Sequence, residues 1–166
     1  MPELPFNPEE MKARGYDRET VAEGVRAKEA HAAAAALIAQ IEVAFGVIAR
    51  PRVTLRVARG FDDEWNLSEA RVEELSALDL ARTWQEVSDA EIEAYQEYFT
   101  FADAEGCRFY LPAFMRHYLR SFPCAGYDAV YWACTEPEKL EALTAAERAC
   151  VEEFLELCHR YQAKPR

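Results

Sequence analysis

A block of aromatic residues, "YFTFADAEGCRFYLPAFMRHYL" from Tyr98 to Leu119, constrains the fold of this chain most strongly. Two aromatic-rich runs flank "ADAEG", in which Gly106 can adopt the positive backbone angle that a hairpin loop needs. The block therefore predicts a β-hairpin, followed by a helix that begins at Pro112. Together these elements would bury enough apolar surface to form the packing centre of the molecule.

Capping patterns and apolar spacing predict helices on both sides of this block. Asn7 and Pro8 suit the start of a short helix. A long helix is expected from Thr20 to Ile48, with Thr20 and Glu23 as its capping box. One face of this helix carries apolar residues at spacings of four, four and three, namely Leu37, Ile41, Phe45 and Ile48.

Three later pairs have capping-box spacing and predict further helix starts: Asn66 with Glu69, Ser88 with Glu91, and Thr144 with Glu147. The last pair opens an amphipathic C-terminal helix. Apolar residues alternate at Val53, Leu55 and Val57, which is typical of a short strand.

The expected fold class is therefore mostly α with a small β-hairpin, an α+β protein in one domain over residues 1–166. Residues 1–17 would form an N-terminal arm or short helix, and residues 162–166 a tail.

The composition favours a soluble globular domain. At 166 residues and 51% hydrophobic content, the chain can bury a real core. Its longest apolar stretch is mostly alanine and is interrupted by Glu42, so no membrane span is expected. The acidic, Pro-rich N-terminus has no apolar signal region. Five cysteines, an odd count without a CxxC pair, then indicate reduced thiols and a cytoplasmic location.

The acidic charge is concentrated in residues 61–105. This segment carries fourteen acids against two bases, a net −12, whereas the whole chain is at −11. The candidate partner-binding residues are Asp62, Asp63, Glu64, Glu69, Glu73, Glu86, Glu91, Glu93 and Glu97. Four arginines stand just before the segment, at Arg50, Arg52, Arg56 and Arg59.

Three interpretations of this charge pattern stay open. The carboxylates can coat the solvated faces of helices, as charge runs usually do. They can form an acidic face that docks a basic partner, because such a face speeds encounter and rejects acidic competitors. They can also pair within the molecule with the four preceding arginines. The net charge disfavours nucleic-acid binding, since phosphates would meet a field of their own sign.

No established catalytic or cofactor motif occurs in the sequence. His31, His117 and His159 lack metal-ligand spacing, and Cys150 and Cys158 lie two helical turns apart. With six glycines and no phosphate-binding loop, we expect neither cofactor nor metal. An enzyme remains the alternative, with a site near Asp103, Glu105, Arg108 and His117 that could supply an acid, a base and an anion clamp.

The block from Phe101 to Ala113 fits the pattern F-x-D-x-E-G-x-R-F-x-L-P-A, with Trp84 upstream and "LTAAERACVEEFL" downstream. In these features the chain resembles a bacterial family of unknown function, over roughly Ala81 to Leu155. The resemblance implies no activity. We interpret the motif as structural, with roles for Asp103, Glu105, Gly106, Arg108, Phe109 and Pro112.

Within that motif, Gly106 would permit the turn, Phe109 would pack inward and Pro112 would start the helix. Arg108 would pair with Asp103 or Glu105 across the hairpin.

Small size, segregated charge and the lack of a catalytic set favour a noncatalytic protein that binds a basic protein. Its concrete form is an immunity protein or antitoxin that occludes a basic toxin. A further alternative is a structural or regulatory subunit that uses an apolar face of the long helix.

Overall fold

The computed structural model describes residues 7–123 and 128–161, and every regular element within these ranges is helical. Short 3-10 turns occur at Trp84–Glu86 and Pro137–Leu140. The α-helices are α1 Pro8–Ala13, α2 Arg18–Phe45, α3 Leu55–Asp63, α4 Glu69–Leu78, α5 Asp89–Ala94, α6 Tyr98–Phe101, α7 Ala104–Arg120, α8 Asp128–Thr135 and α9 Ala145–Tyr161. The α+β prediction was therefore wrong.

The predicted β-hairpin is replaced by α6 and the first half of α7. Asp103 is the N-cap of α7 and accepts a hydrogen bond from the Gly106 backbone N–H at 2.8 Å. Gly106 lies inside the helix, so the positive backbone angle predicted for it is not needed. Pro112 does not start the helix but lies in its interior, where it leaves the Arg108 carbonyl without its usual amide donor.

The hairpin prediction failed because α7 is buried on all its sides. Phe109, Tyr110, Leu111, Pro112 and Ala113 are consecutive and all buried. A helix with an apolar surface all round shows no 3.6-residue period, and a dense aromatic run then suggests a strand. The burial itself was predicted correctly: the aromatic block is the packing centre.

The predicted short strand is also helical. Val53, Leu55 and Val57 are all buried, but Thr54 is the N-cap of α3, which starts at Leu55. Three alternating residues are too few to establish a two-residue period against a helix that buries Leu55 and Ala58 together.

The helix starts were predicted with mixed success. The caps at Asn7, at Ser88 with Glu91, and at Thr144 with Glu147 are confirmed. The long helix begins two residues earlier than expected, because Asp17 rather than Thr20 caps it. Likewise Ser68 caps α4 in place of Asn66, whose φ is 59°.

The core forms where α2 and α9 pack against each other and α2 packs against α7. The predicted apolar face of α2 is buried at Leu37, Ile41 and Phe45. The helix α9 buries Cys150, Val151, Phe154, Leu157 and Cys158. The helices α3 and α4 pack on each other, and α3 also packs on α6. Among the described helices, none is long and apolar enough to cross a membrane.

Candidate functional site

The four arginines before the acidic segment connect α3 and the residues just before it to later parts of the chain. Arg52 donates to Glu69 at 2.6 Å, and Arg59 to Glu97 at 2.7 Å. Arg50 does not contact a carboxylate; its guanidinium donates to the Ser76 hydroxyl at 3.1 Å and to two backbone carbonyls, of Ser76 and Asp79. These contacts support the intramolecular interpretation for part of the acidic charge.

Asp79 is the buried member of the acidic segment. Its carboxylate accepts from the Arg56 guanidinium at 2.6 Å and from the Arg56 backbone N–H at 2.9 Å. It therefore satisfies a free amide in the first turn of α3 from a distant position in the chain. Asp79 is a structural residue, and nothing in its local sequence distinguishes it from its exposed neighbours.

The nine predicted partner-binding residues separate into two groups. Six have partners within the molecule: Glu64 contacts Arg71, Glu69 and Glu97 contact arginines, Glu93 contacts His117, and Glu86 and Glu91 cap helices. Asp62, Asp63 and Glu73 are exposed and make no hydrogen bond or ion pair with any residue of 7–123 or 128–161. These three carboxylates are the ones available to a partner.

Aromatic side chains lie next to two of these carboxylates. Trp65 follows the end of α3 and is 98% exposed, and Phe61, in the last turn of α3, is 40% exposed. The sequence analysis did not select Trp65. The sequence "FDDEW" did indicate an exposed tryptophan, because Trp65 follows three consecutive acidic residues, which favour solvent over a core.

A groove of about 520 Å³ runs along α4. Its walls have mixed charge, with Arg50, Arg52 and Arg82 balancing Glu69, Glu73 and Asp79. Leu80, which lines the groove, is 80% exposed. The groove is electrically balanced, so the excess negative charge is not concentrated in it.

The residues of the predicted enzyme site do not converge. Asp103 caps α7, and Glu105 is exposed two residues later in the first turn of this helix. Arg108 and His117 are nine residues apart on the same helix, which places them roughly 13 Å apart along its axis. Arg108 contacts α9, whereas His117 contacts α5. No shared cleft can form from these four groups in this arrangement.

Arg108 pairs with Glu147 rather than with Asp103 or Glu105, so that prediction was wrong. Its Nη2 lies 2.8 Å from Glu147 Oε1, and its Nε lies 3.0 Å from Oε2. The Glu147 side chain is 1% exposed and also accepts from the Thr144 backbone N–H at 3.0 Å. This bidentate pair connects α7 to the first turn of α9.

His117 lies between two carboxylates of α5. Its Nδ1 is 2.8 Å from Asp89 Oδ1, and its Nε2 is 2.6 Å from Glu93 Oε1. The hydrogen bond from His117 lowers the pKa of Asp89. No group of three histidine, cysteine or acidic side chains in the described part of the chain can hold a metal ion.

Three of the described cysteines, Cys107, Cys134 and Cys150, are poor nucleophiles. Burial raises the pKa of Cys107 to about 12, and it also raises the pKa values of Cys134 and Cys150. The reactive form of cysteine is the thiolate, which is nearly absent at neutral pH when the pKa is this high. Cys124 lies outside the described residues.

Substitution of Gly106 by alanine should destabilise the protein by about 1–3 kcal/mol. A Cβ at this position would overlap the Tyr98 hydroxyl, which donates to the Val53 carbonyl at 2.6 Å, and would lie 3.2 Å from that carbonyl oxygen. The clash outweighs the roughly 1 kcal/mol that alanine gains over glycine in a helix. Urea denaturation measures the change.

The matched control for this prediction is Gly24→Ala in α2. The nearest atom to a Cβ there is the end of the flexible Met11 side chain, which can move away. We expect its effect to stay within about 1 kcal/mol. A stability of Gly106→Ala equal to or above that of Gly24→Ala would contradict the packing argument.

Comparison with known proteins places this arrangement in a family. No curated protein and no solved structure matches the chain significantly. The model of a family described as "Family of unknown function (DUF6714)" matches residues 33–165. This match begins well before the stretch on which the resemblance rested, and it includes the C-terminal part of α2 and all of α3 to α9. The chain therefore belongs to DUF6714, a family of unknown function.

Proposed function

We propose that this protein is a noncatalytic binding protein that docks a basic protein through its acidic segment. The proposal is carried by one observation: Asp62, Asp63 and Glu73 are exposed and unpaired, although four arginines precede them in the chain. Arg52, Arg56 and Arg59 form their ion pairs with other carboxylates, so these three carboxylates have no direct ion pair among the described residues.

Three features of the chemistry support binding over catalysis. The thiols of Cys107, Cys134 and Cys150 have raised pKa values, the residues of the enzyme alternative are spread over separate contacts, and the groove along α4 has balanced charge. An acidic surface of this kind accelerates encounter with a basic protein and disfavours acidic ones. The concrete form of the proposal is a cytoplasmic immunity protein or antitoxin that covers a basic toxin.

Neutralising the unpaired carboxylates should slow association with the partner. The variant D62N/D63N/E73Q removes three charges and breaks no internal hydrogen bond. The partner for this measurement is first isolated by affinity capture, as the protein that the immobilised wild-type chain retains from an extract of its source cells. Its association rate, measured at low salt by surface plasmon resonance, should fall roughly tenfold, and its salt dependence should become flatter.

The control variant E141Q/E152Q/E153Q makes the same change in net charge outside the acidic segment. These three side chains are also exposed and have no internal partner among the described residues. We expect the control to keep most of the wild-type rate. Equal rates for the two variants, or no retained protein at all, would show that the acidic segment is only a solvated surface.

A further inference from the structure

Trp65 is the most exposed large hydrophobic residue in the described part of the chain, at 98%. A tryptophan that docks in a protein pocket buries about 150–250 Å² of surface, and leaving that surface in water is unfavourable. Exposed apolar residues that occur singly need no explanation. Trp65, however, follows a half-exposed aromatic residue, Phe61 in the last turn of α3, and the exposed Asp62 and Asp63.

The backbone that carries Trp65 is held on both of its sides. On the N-terminal side, the Glu64 backbone N–H donates to the Gly60 carbonyl at 2.9 Å, and the Glu64 carboxylate accepts from Arg71 at 3.0 Å. On the C-terminal side, Leu67 packs against the core, and Ser68 caps α4. The indole is therefore exposed on an ordered connection.

Order of this kind lowers the entropic cost of binding. A side chain with only two rotatable bonds on a fixed backbone loses little freedom when it enters a pocket. Tryptophan is also among the residue types that most often dominate the energy of protein interfaces. The exposed indole and its fixed connection thus have the physical character of a binding anchor.

We infer that Trp65 is the anchor of the docking surface and inserts into an apolar pocket on the partner whose rim carries lysine or arginine. This inference rests on the proposed function and specifies the chemistry of the partner. The rim follows from charge complementarity, because Asp62 and Asp63 directly precede the connection, are exposed and form no hydrogen bond or ion pair with the described residues. An anionic membrane does not fit, since its headgroups would repel the same carboxylates.

The test compares W65A with W65F and with V47S, using the purified retained protein as the probe. Val47 is 96% exposed and lies outside the acidic segment, so V47S removes an exposed apolar side chain of another region. Because Trp65 makes almost no contact with the fold, thermal denaturation should be the same for all four proteins. In isothermal titration, W65A should raise the Kd at least tenfold, W65F should raise it less, and V47S should leave it unchanged.

The possible outcomes separate this inference from the proposed function. If D62N/D63N/E73Q slows association and W65A leaves the Kd unchanged, the acidic docking surface stands and the anchor is wrong. If neither variant affects binding, both proposals are wrong. If the wild-type protein sediments as a dimer and W65A sediments as a monomer, Trp65 serves self-association and the inference is wrong. The inference is also wrong if the wild-type protein binds anionic phosphatidylserine vesicles and W65A does not.

Discussion

Replacing Arg108 with methionine should lower the free energy of unfolding by about 3 kcal/mol, because it leaves a buried carboxylate without its cation. Glu147 is 1% exposed and would keep only the backbone N–H of Thr144 as a hydrogen-bond donor. We expect the lower part of the usual range because Arg108 itself is 34% exposed. Urea denaturation followed by circular dichroism measures the loss.

Two variants control this prediction. Arg52→Met removes a guanidinium from an exposed pair with Glu69, so it should cost less than about 1 kcal/mol. The double variant R108M/E147M removes both charges and should recover most of the loss, since an apolar pair in a buried site is often neutral. If R108M costs no more than R52M, the connection between α7 and α9 does not depend on this pair.

Replacing Trp84 with alanine should lower the free energy of unfolding by about 3–5 kcal/mol, through the cavity that it leaves. Trp84 is fully buried, and its Nε1 donates to the Gly46 carbonyl at 3.0 Å. The Arg116 guanidinium lies 4.9 Å from the centre of the ring, and Arg116 is itself buried. The substitution therefore removes packing, a hydrogen bond and a cation–π contact together.

Comparison with other tryptophan variants separates the loss of packing from the loss of the hydrogen bond. W84F keeps much of the volume and should cost clearly less than W84A, with the lost hydrogen bond contributing about 1 kcal/mol. W65A removes a tryptophan that is almost fully exposed and should leave the stability within about 0.5 kcal/mol of wild type. A loss in W84A that is no larger than the loss in W84F would show that the cavity relaxes.

Local chemistry was the most reliable guide to this fold. Side-chain caps such as Asn7, Ser88 and Thr144 act over three or four residues, so their effect can be read directly from the sequence. The apolar face of α2 was likewise predicted, because one side of that helix is exposed and its 3.6-residue period is visible. The exact starts of the helices were predicted less well: α2 is capped by Asp17 rather than Thr20, and α4 by Ser68 rather than Asn66.

The central helix could not be predicted from its own pattern. In α7, burial on all sides removed the amphipathic period, and Gly106 suggested a turn although it serves close packing against Tyr98. The roles of individual charges also depended on distant partners. Arg108 meets Glu147 across 39 positions of the chain, and Arg56 meets Asp79 across 23.

The sequence alone determined that this chain is a helix-rich, strongly acidic protein built around its aromatic block, because composition, capping and charge segregation are properties of neighbouring residues. Only the tertiary structure decided that the block is helical and which acids remain unpaired. In the folded protein Trp65 is exposed and Trp84 is buried, although both tryptophans belong to the acidic segment. Burial and ion pairing are set by residues far apart in the chain. The packing of α3 on α4 and of α7 on α2 brings such residues together.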